Sequence, residues 1–255
     1  MRQQLLPDFK VLDTEGRAVF GKTYLTSDVV DQIAPALRDG HCLVGESLTT
    51  PIKLFTDIMT FDRAAAKDAG FAVPEDYLYW VLVFRHDVLS SKSENPDALR
   101  ALLALDDGQS AQTALDLTAS WHAPLRKALE LQDVPSASTL AFFLSSSESL
   151  GDNWDKCPVH DEPGEAHRIT LLGDAAHPMP PVGAVGANTA FQDAALLCDA
   201  LERAGSGAEL TAEIAAYESA LRERAKVSLP RSAAGAGHFF GMRPIAELKP
   251  VAFWS

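Results

Sequence analysis

The stretch from Ile169 to Ala194 constrains this chain more than any other. Ile169, Thr170, Leu171 and Leu172 form the apolar run of a buried strand, and Gly173 ends it. Asp174 then places a carboxylate at the strand's carboxyl end, where open α/β sheets bind ligands. The following loop holds Pro178, Pro180 and Pro181 together with Gly183 and Gly186. Such a loop is stiff, yet brings bare backbone close to a ligand. From about Ala187 the pattern predicts a helix, with Ala190, Phe191, Ala194, Leu197 and Leu201 recurring at threes and fours and Gly205 as the stop. The first amides of that helix have no partner and carry partial positive charge, which suits a ligand with acceptor atoms or developing negative charge.

Composition excludes several alternatives. A formal net charge of -13 and a pI near 4.9 argue against nucleic acid and against an anionic membrane surface as partners. No run approaches the roughly 18 uninterrupted apolar residues of a membrane span, and Met1 to Pro7 lacks the apolar core of a signal peptide. Three widely spaced cysteines, Cys42, Cys157 and Cys198, give no disulfide framework and fit a reducing compartment. The expectation is a cytoplasmic protein.

The chain has an α/β (α+β) pattern. Residues 1 to 7 read as a helix tail stopped by Pro7, and Gly16 to Tyr24 as a strand. Thr26 to Leu37 predicts a helix capped by Thr26 or Ser27, with Asp28 in its first turn and Gly40 at its end. Strands follow between His41 and Phe61, punctuated by Gly45 and Pro51. Tyr77 to Arg85 is the clearest strand; both its period-two faces are apolar, which predicts cover on both sides. Pro96 opens a helix reaching about Asp106, one or two helices broken near Pro124 span Ser110 to Leu131, and Leu140 to Leu144 is another strand. Ser145 to Glu165 reads as a polar loop. Glu209 to about Val227 is an amphipathic helix with Leu210, Ile214, Tyr217 and Leu221 on one face. Arg231 to Ser255, rich in Gly, Ala and Pro, is expected to be irregular.

The opening stretch resembles the second FAD-binding motif of the class A flavoprotein monooxygenases, the aromatic-hydroxylase family of the para-hydroxybenzoate hydroxylase type. Gly173-Asp174-Ala175-Ala176-His177, Pro180-Pro181, Gly183, Gly186-Ala187-Asn188 and Asp193-Ala194 match the family pattern in order and spacing. The resemblance implies an incomplete FAD-binding, Rossmann-like domain plus a mixed or antiparallel substrate-binding sheet with helices. It divides the chain into a remnant of the FAD domain (1–13), a substrate-binding domain (14–165), the C-terminal part of the FAD domain (166–230) and a tail (231–255). It implies FAD as cofactor and NAD(P)H as co-substrate, with O2 and an aromatic or polyketide-like small molecule as reactants. In the family Asp174 would contact the ribityl chain, and Pro181, Gly183, Gly186, Ala187 and Asn188 would line the isoalloxazine edge.

The family opens with a strand–turn–helix bearing Gly-x-Gly-x-x-Gly, and no such motif stands in this sequence: Gly235-Ala236-Gly237 follows no strand. Arg2 to Pro7 resembles the residues just after the family's Asp-Gly motif. The expectation is a family member cut downstream of that motif, so that a missing N-terminal segment or chain supplies the adenosine side and this chain alone binds FAD weakly. The competing expectations are a non-catalytic remnant, half of a split flavoenzyme, a flavin-dependent oxidase or dehydrogenase of a small metabolite, and, most distantly, a cofactor-free binding module.

Other residues carry less. His177 is expected to be structural. Cys157, His160, Asp161, Glu162, Glu165 and His167 match no compact zinc spacing and read as an acidic loop, so no metal is expected. No Gly-x-Ser-x-Gly elbow supports a hydrolase. Tyr79, Trp80, Phe84, Arg85, Lys53 and Phe55 are candidate substrate contacts, with core packing favoured for the aromatics and a solvated or snorkelling role for the cations. Because the cofactor carries the chemistry, no catalytic acid or base is named.

Overall fold

The computed structural model describes residues 2–45, 52–89, 96–151, 169–205 and 208–251. Its elements, in chain order, are α1 (Arg2–Leu5), β1 (Val11–Tyr24), α2 (Ser27–Val30), β2 (Cys42–Gly45), β3 (Lys53–Met59), α3 (Arg63–Asp68), β4 (Tyr77–Arg85), α4 (Pro96–Leu103), α5 (Asp107–Leu117), α6 (Ala123–Glu130), β5 (Ser138–Ser145), α7 (Val185–Arg203), α8 (Ala208–Phe240) and β6 (Lys249–Pro250). The fold is mixed α/β around one six-stranded sheet of order β2-β3-β4-β1-β5, with β6 beside β1. The β2–β3, β3–β4, β1–β4 and β1–β6 pairs are antiparallel. The chain forms two compact units, residues 16–141 and residues 1–15 with 142–255.

The 16–141 unit is organised by β4. Its Leu78, Trp80, Leu82 and Phe84 share one face and are fully buried. Trp80, Leu82 and Phe84 pack with Val19, Leu54, Ala114 and Leu129. The indole nitrogen of Trp80 donates to the Thr23 hydroxyl at 3.2 Å, and that hydroxyl donates to the Ala128 carbonyl at 2.6 Å. Gly21 is required beside this ring, because a Cβ there would lie 2.5 Å from Trp80 Cζ2. The cover expected on both faces of β4 is found on one: on the other, Tyr77, Tyr79, Val81 and Arg85 are half-buried and only Val83 is buried. Tyr77, Tyr79 and Val81 make that face a half-buried surface rather than a second core.

Three predicted elements differ. The helix expected over Thr26–Leu37 stops at Val30, and Pro35–Arg38 forms a separate 3-10 turn. Pro35 disfavours helical backbone at the residue before it, and Ala34 sits at ψ 133. The buried strand expected at Ile169–Leu172 is not formed. Leu172 is extended (φ -148, ψ 160), but the segment joins no ladder among the described residues. Leu171 alone is buried, while Ile169 and Leu172 are exposed. A strand needs a neighbour, and the sheet described here draws its strands from residues 11–145 and 249–250.

The irregular tail is the third correction, since α8 continues through Phe240. Buried Ile214, Glu218, Leu221, Ala225, Leu229, Ser232, Ala236 and Phe240 recur at threes and fours along it. That stripe carries the helix past Pro230, which is exposed and whose missing N–H costs about 3 kcal/mol in a helix interior. Phe240 closes the stripe against Phe142, ring centroids 5.7 Å apart.

Candidate functional site

Gly173–Ala175 forms a 3-10 turn rather than a strand end. Gly173 adopts φ +56, a left-handed conformation that suits glycine, and a Cβ there would sit 3.2 Å from Ala190 Cβ. Asp174, next in the turn, is exposed, and its backbone carbonyl accepts a long hydrogen bond from Arg2 at 3.4 Å. The His177 amide donates to the Gly173 carbonyl at 2.8 Å and closes the turn.

The loop then enters α7 through Gly183 (φ 71) and Ala184 (φ 54), two successive left-handed residues. Ala184 is the residue before the helix and has no side chain with which to cap it. The amides of Val185, Gly186 and Ala187 are therefore left without helical partners. Asn188 does not cap them either; its amide group donates to the Ala184 carbonyl at 2.7 Å. Pro181, Gly183, Ala187 and Asn188 are exposed, and Gly186 is half-buried because the loop folds back on it: a Cβ there would lie 3.2 Å from Met179 Cγ. This is an open helix start that presents donors and partial positive charge, with an exposed carboxylate on the preceding turn.

The surface is held from below by α8. Tyr217 donates to the Leu171 carbonyl at 2.9 Å, Thr170 donates to Glu218 at 2.8 Å, and Ser232 donates to the Pro180 carbonyl at 3.0 Å. The Thr189 hydroxyl lies 3.2 Å from that of Ser228. At the centre is Asp193, fully buried on α7. One carboxylate oxygen accepts from the Gly173 amide at 3.1 Å and lies 2.5 Å from His177 Nε2; the other accepts from Arg224 Nη2 at 2.7 Å and Nε at 3.3 Å. A carboxylate only accepts, so Nε2 carries the ring proton here. Burial works to raise the Asp193 carboxyl, but the bonds from His177, Arg224 and the Gly173 amide outweigh it and hold it below the ordinary range. Burial, then the Asp193 charge, push the Tyr217 phenol upward, so it stays protonated as a donor.

Every residue expected at the cofactor lies on this turn, loop and helix start. The sequence names Asp193 only as part of a motif and Tyr217 only on an amphipathic face, and gives Arg224 and Ser232 no role in this site. Their signal is faint: polar residues on or beside the core-facing stripe of a long helix. The helix expected from about Ala187 is found as α7, but its apolar recurrence is not its buried face. Thr189, Asp193 and Ala200 are the buried residues, while Phe191 (75% exposed) and Leu201 (50% exposed) face outward.

The remaining candidates resolve differently. Trp80 and Phe84 are core; Tyr79, Arg85 and Phe55 are half-buried, and Lys53 is buried with a partner. Burial, then neighbouring Tyr77, raise the Tyr79 phenol. The acidic loop from Cys157 to His167 lies outside the described residues, and among those described no group of His, Cys, Asp or Glu could hold a metal ion. No helix among them is long and apolar enough to cross a membrane.

Comparison with known proteins covers this stretch and most of the remaining chain. The FAD binding domain family matches residues 151–232. The chain is 32% identical over 270 residues to the dual O-methyltransferase/FAD-dependent monooxygenase CTB3 of Cercospora beticola, covering 99% of this chain and 29% of that protein. It is 33% identical over 294 residues to the dual O-methyltransferase/FAD-dependent monooxygenase elcB of Phaeosphaeria nodorum, covering 97% and 29%. This chain thus spans less than a third of the length of either relative. Among solved structures, HpxO of Klebsiella pneumoniae, complexed with FAD and uric acid, superposes with a TM-score of 0.59 at 15% identity over 92% of this chain and 48% of that one, which shows a shared fold.

Proposed function

We propose that this chain, which is similar to FAD-dependent monooxygenases and matches the FAD binding domain family over residues 151–232, forms the flavin-facing side of a FAD site in a class A FAD-dependent monooxygenase that oxygenates an aromatic or polyketide-like small molecule. The observation that carries this reading is the uncapped start of α7, entered through left-handed Gly183 and Ala184, on the same pinned loop as exposed Asp174. These residues fit the cofactor's chemistry. Asp174 would accept from ribityl hydroxyls. Pro181, Gly183, Gly186, Ala187 and Asn188 would border the ring system, and the free amides of α7 would stabilise negative charge developing there. Gly183 and Gly186 leave the backbone bare for close approach. When bound, FAD supplies the redox chemistry, taking electrons from NAD(P)H and delivering them to O2 so that one oxygen atom enters the substrate. The names of the fungal relatives favour oxygenation over simple oxidation. The adenosine side of the cofactor would be held by polypeptide that precedes this sequence, since the sequence has no Gly-x-Gly-x-x-Gly turn after a strand.

The test compares the 255-residue chain with the same chain extended at its N-terminus by a strand–turn–helix bearing that motif. The extended form is expected to purify yellow with about one FAD per chain, and the shorter form nearly colourless. Asp174→Ala should weaken FAD binding by the extended form about tenfold. A shorter form that itself keeps stoichiometric FAD would remove the divided site, and an unchanged affinity in Asp174→Ala would remove the assignment of the loop. Substrate-dependent NAD(P)H consumption yielding a hydroxylated product, rather than hydrogen peroxide alone, separates a monooxygenase from an oxidase.

A further inference from the structure

Asp193 touches none of the surface assigned above, yet it is bound to both parts of it. Its Oδ2 accepts from the Gly173 amide and the His177 ring, so both ends of the turn carrying Asp174 are tied to one oxygen atom. Asp193 itself belongs to α7, whose first turn carries the free amides of Val185 to Ala187. A helix is rigid over this length, so the carboxylate fixes where the exposed Asp174 stands relative to those amides. Arg224 reaches in from α8 and occupies Oδ1 with two donors, which leaves Oδ2 committed to the turn. A Cβ on Gly173 would lie 3.2 Å from Ala190 Cβ, tighter than an ordinary contact, so the turn sits close against α7. Nothing else among the described contacts joins the turn to α7 by a charged hydrogen bond. Thr189 bonds within α7 and approaches α8, while Tyr217 and Ser232 join α8 to the loop's flanks.

We infer that Asp193 is the positioning residue of the flavin-facing site: it sets the spacing between the Asp174 carboxylate and the α7 amides, with Arg224 as its counter-ion. This rests on the cofactor reading of the loop given above. It assigns to a fully buried carboxylate a role in cofactor affinity rather than in stability alone. Charge balance alone would be satisfied by any carboxylate near Arg224. Positioning is not, because a one-methylene change in arm length moves the turn against the helix.

Two variants separate these roles. Asp193→Leu with Arg224→Met removes the charges together, so neither ion is left buried alone. Asp193→Glu keeps the charge and lengthens the arm. Spin labels at positions 174 and 188, in a background with the three cysteines replaced by serine, report the spacing with no flavin present. The unmodified network should give one narrow distance, and both variants a shifted or broadened one while their thermal midpoints stay within a few degrees of the parent. In the FAD-retaining extended form, both variants should raise the FAD dissociation constant by about tenfold or more. An unchanged distance distribution in either folded variant, or an affinity within about twofold of the parent, overturns the proposal. Asp174→Ala is the control: if it leaves FAD affinity unchanged, the cofactor reading fails and this proposal falls with it, whereas a weakened Asp174→Ala beside unaffected Asp193 variants overturns the positioning role alone.

Discussion

The two units of this chain are held together in different ways. The 16–141 unit is built on apolar contact: Trp80, Leu82 and Phe84 bury one face of β4 against Val19, Leu54, Ala114 and Leu129, and burial depends on area rather than direction. In the other unit, the loop from Gly173 to Val185 is fixed by directional bonds from α8 and by one buried carboxylate. Dispersed apolar contact gives stability that tolerates adjustment. Hydrogen bonds to a buried charge give a defined geometry that tolerates little, because an unmatched partner pays its full desolvation cost. A ligand surface made of turn, loop and helix start needs the second kind of support.

The contrast can be broken at three sites of decreasing expected effect. Trp80→Ala should destabilise by about 4 kcal/mol, through lost burial, a cavity and loss of the hydrogen bond that the indole gives to Thr23, when followed by urea unfolding. The 174-to-188 spacing should be unaffected, and a shift there would show that loop geometry depends on the sheet's core after all. Asp193→Ala should cost about 3 kcal/mol, since it strands His177 in a buried place and Arg224 in a half-buried one. It should also change the acid limb. The Asp193 carboxyl titrates lower folded than unfolded, so its stabilisation is present above about pH 4 and fades as pH falls toward the folded value. The variant should therefore lose less stability on acidification than the parent; equal slopes would mean that the carboxylate is not a net contributor. Ser232→Ala should cost about 1 kcal/mol and leave the sheet untouched, with hydrogen exchange of the loop amides rising more than that of β4.

Much of the fold was legible in the sequence where signals are local. Tyr77–Arg85 and Leu140–Leu144 read as strands from composition and were found as β4 and β5. The opening of α4, the one or two helices expected over Ser110–Leu131, found as α5 and α6, and the start of α8 followed from prolines and periodicity; the capping box of Asp106 with Gln109 was not foreseen. What failed were judgements that depend on partners. Ile169–Leu172 has strand composition, but composition does not supply a neighbouring strand. The stretch after Pro230 looked irregular because proline and glycine were weighed above the continuing stripe of Leu229, Ser232, Ala236 and Phe240. The apolar recurrence in α7 marks a helix without saying which face is covered, and packing selects the stripe with Thr189 and Asp193.

The sequence by itself determined the resemblance to a flavoprotein motif and the chemical character of the loop, since the order Gly173-Asp174, Pro180-Pro181, Gly183, Gly186 and Asn188 is a local pattern imposed by backbone conformation and close approach. Tertiary structure decided which carboxylate is exposed and which is buried. Asp174 and Asp193 are equivalent as letters, and only the convergence of His177, Arg224 and the Gly173 amide, which lie 16, 31 and 20 residues along the chain from Asp193, stabilises the second as a buried anion. Solvation and charge pairing are properties of a place in the fold, and that place is made by segments distant in the chain.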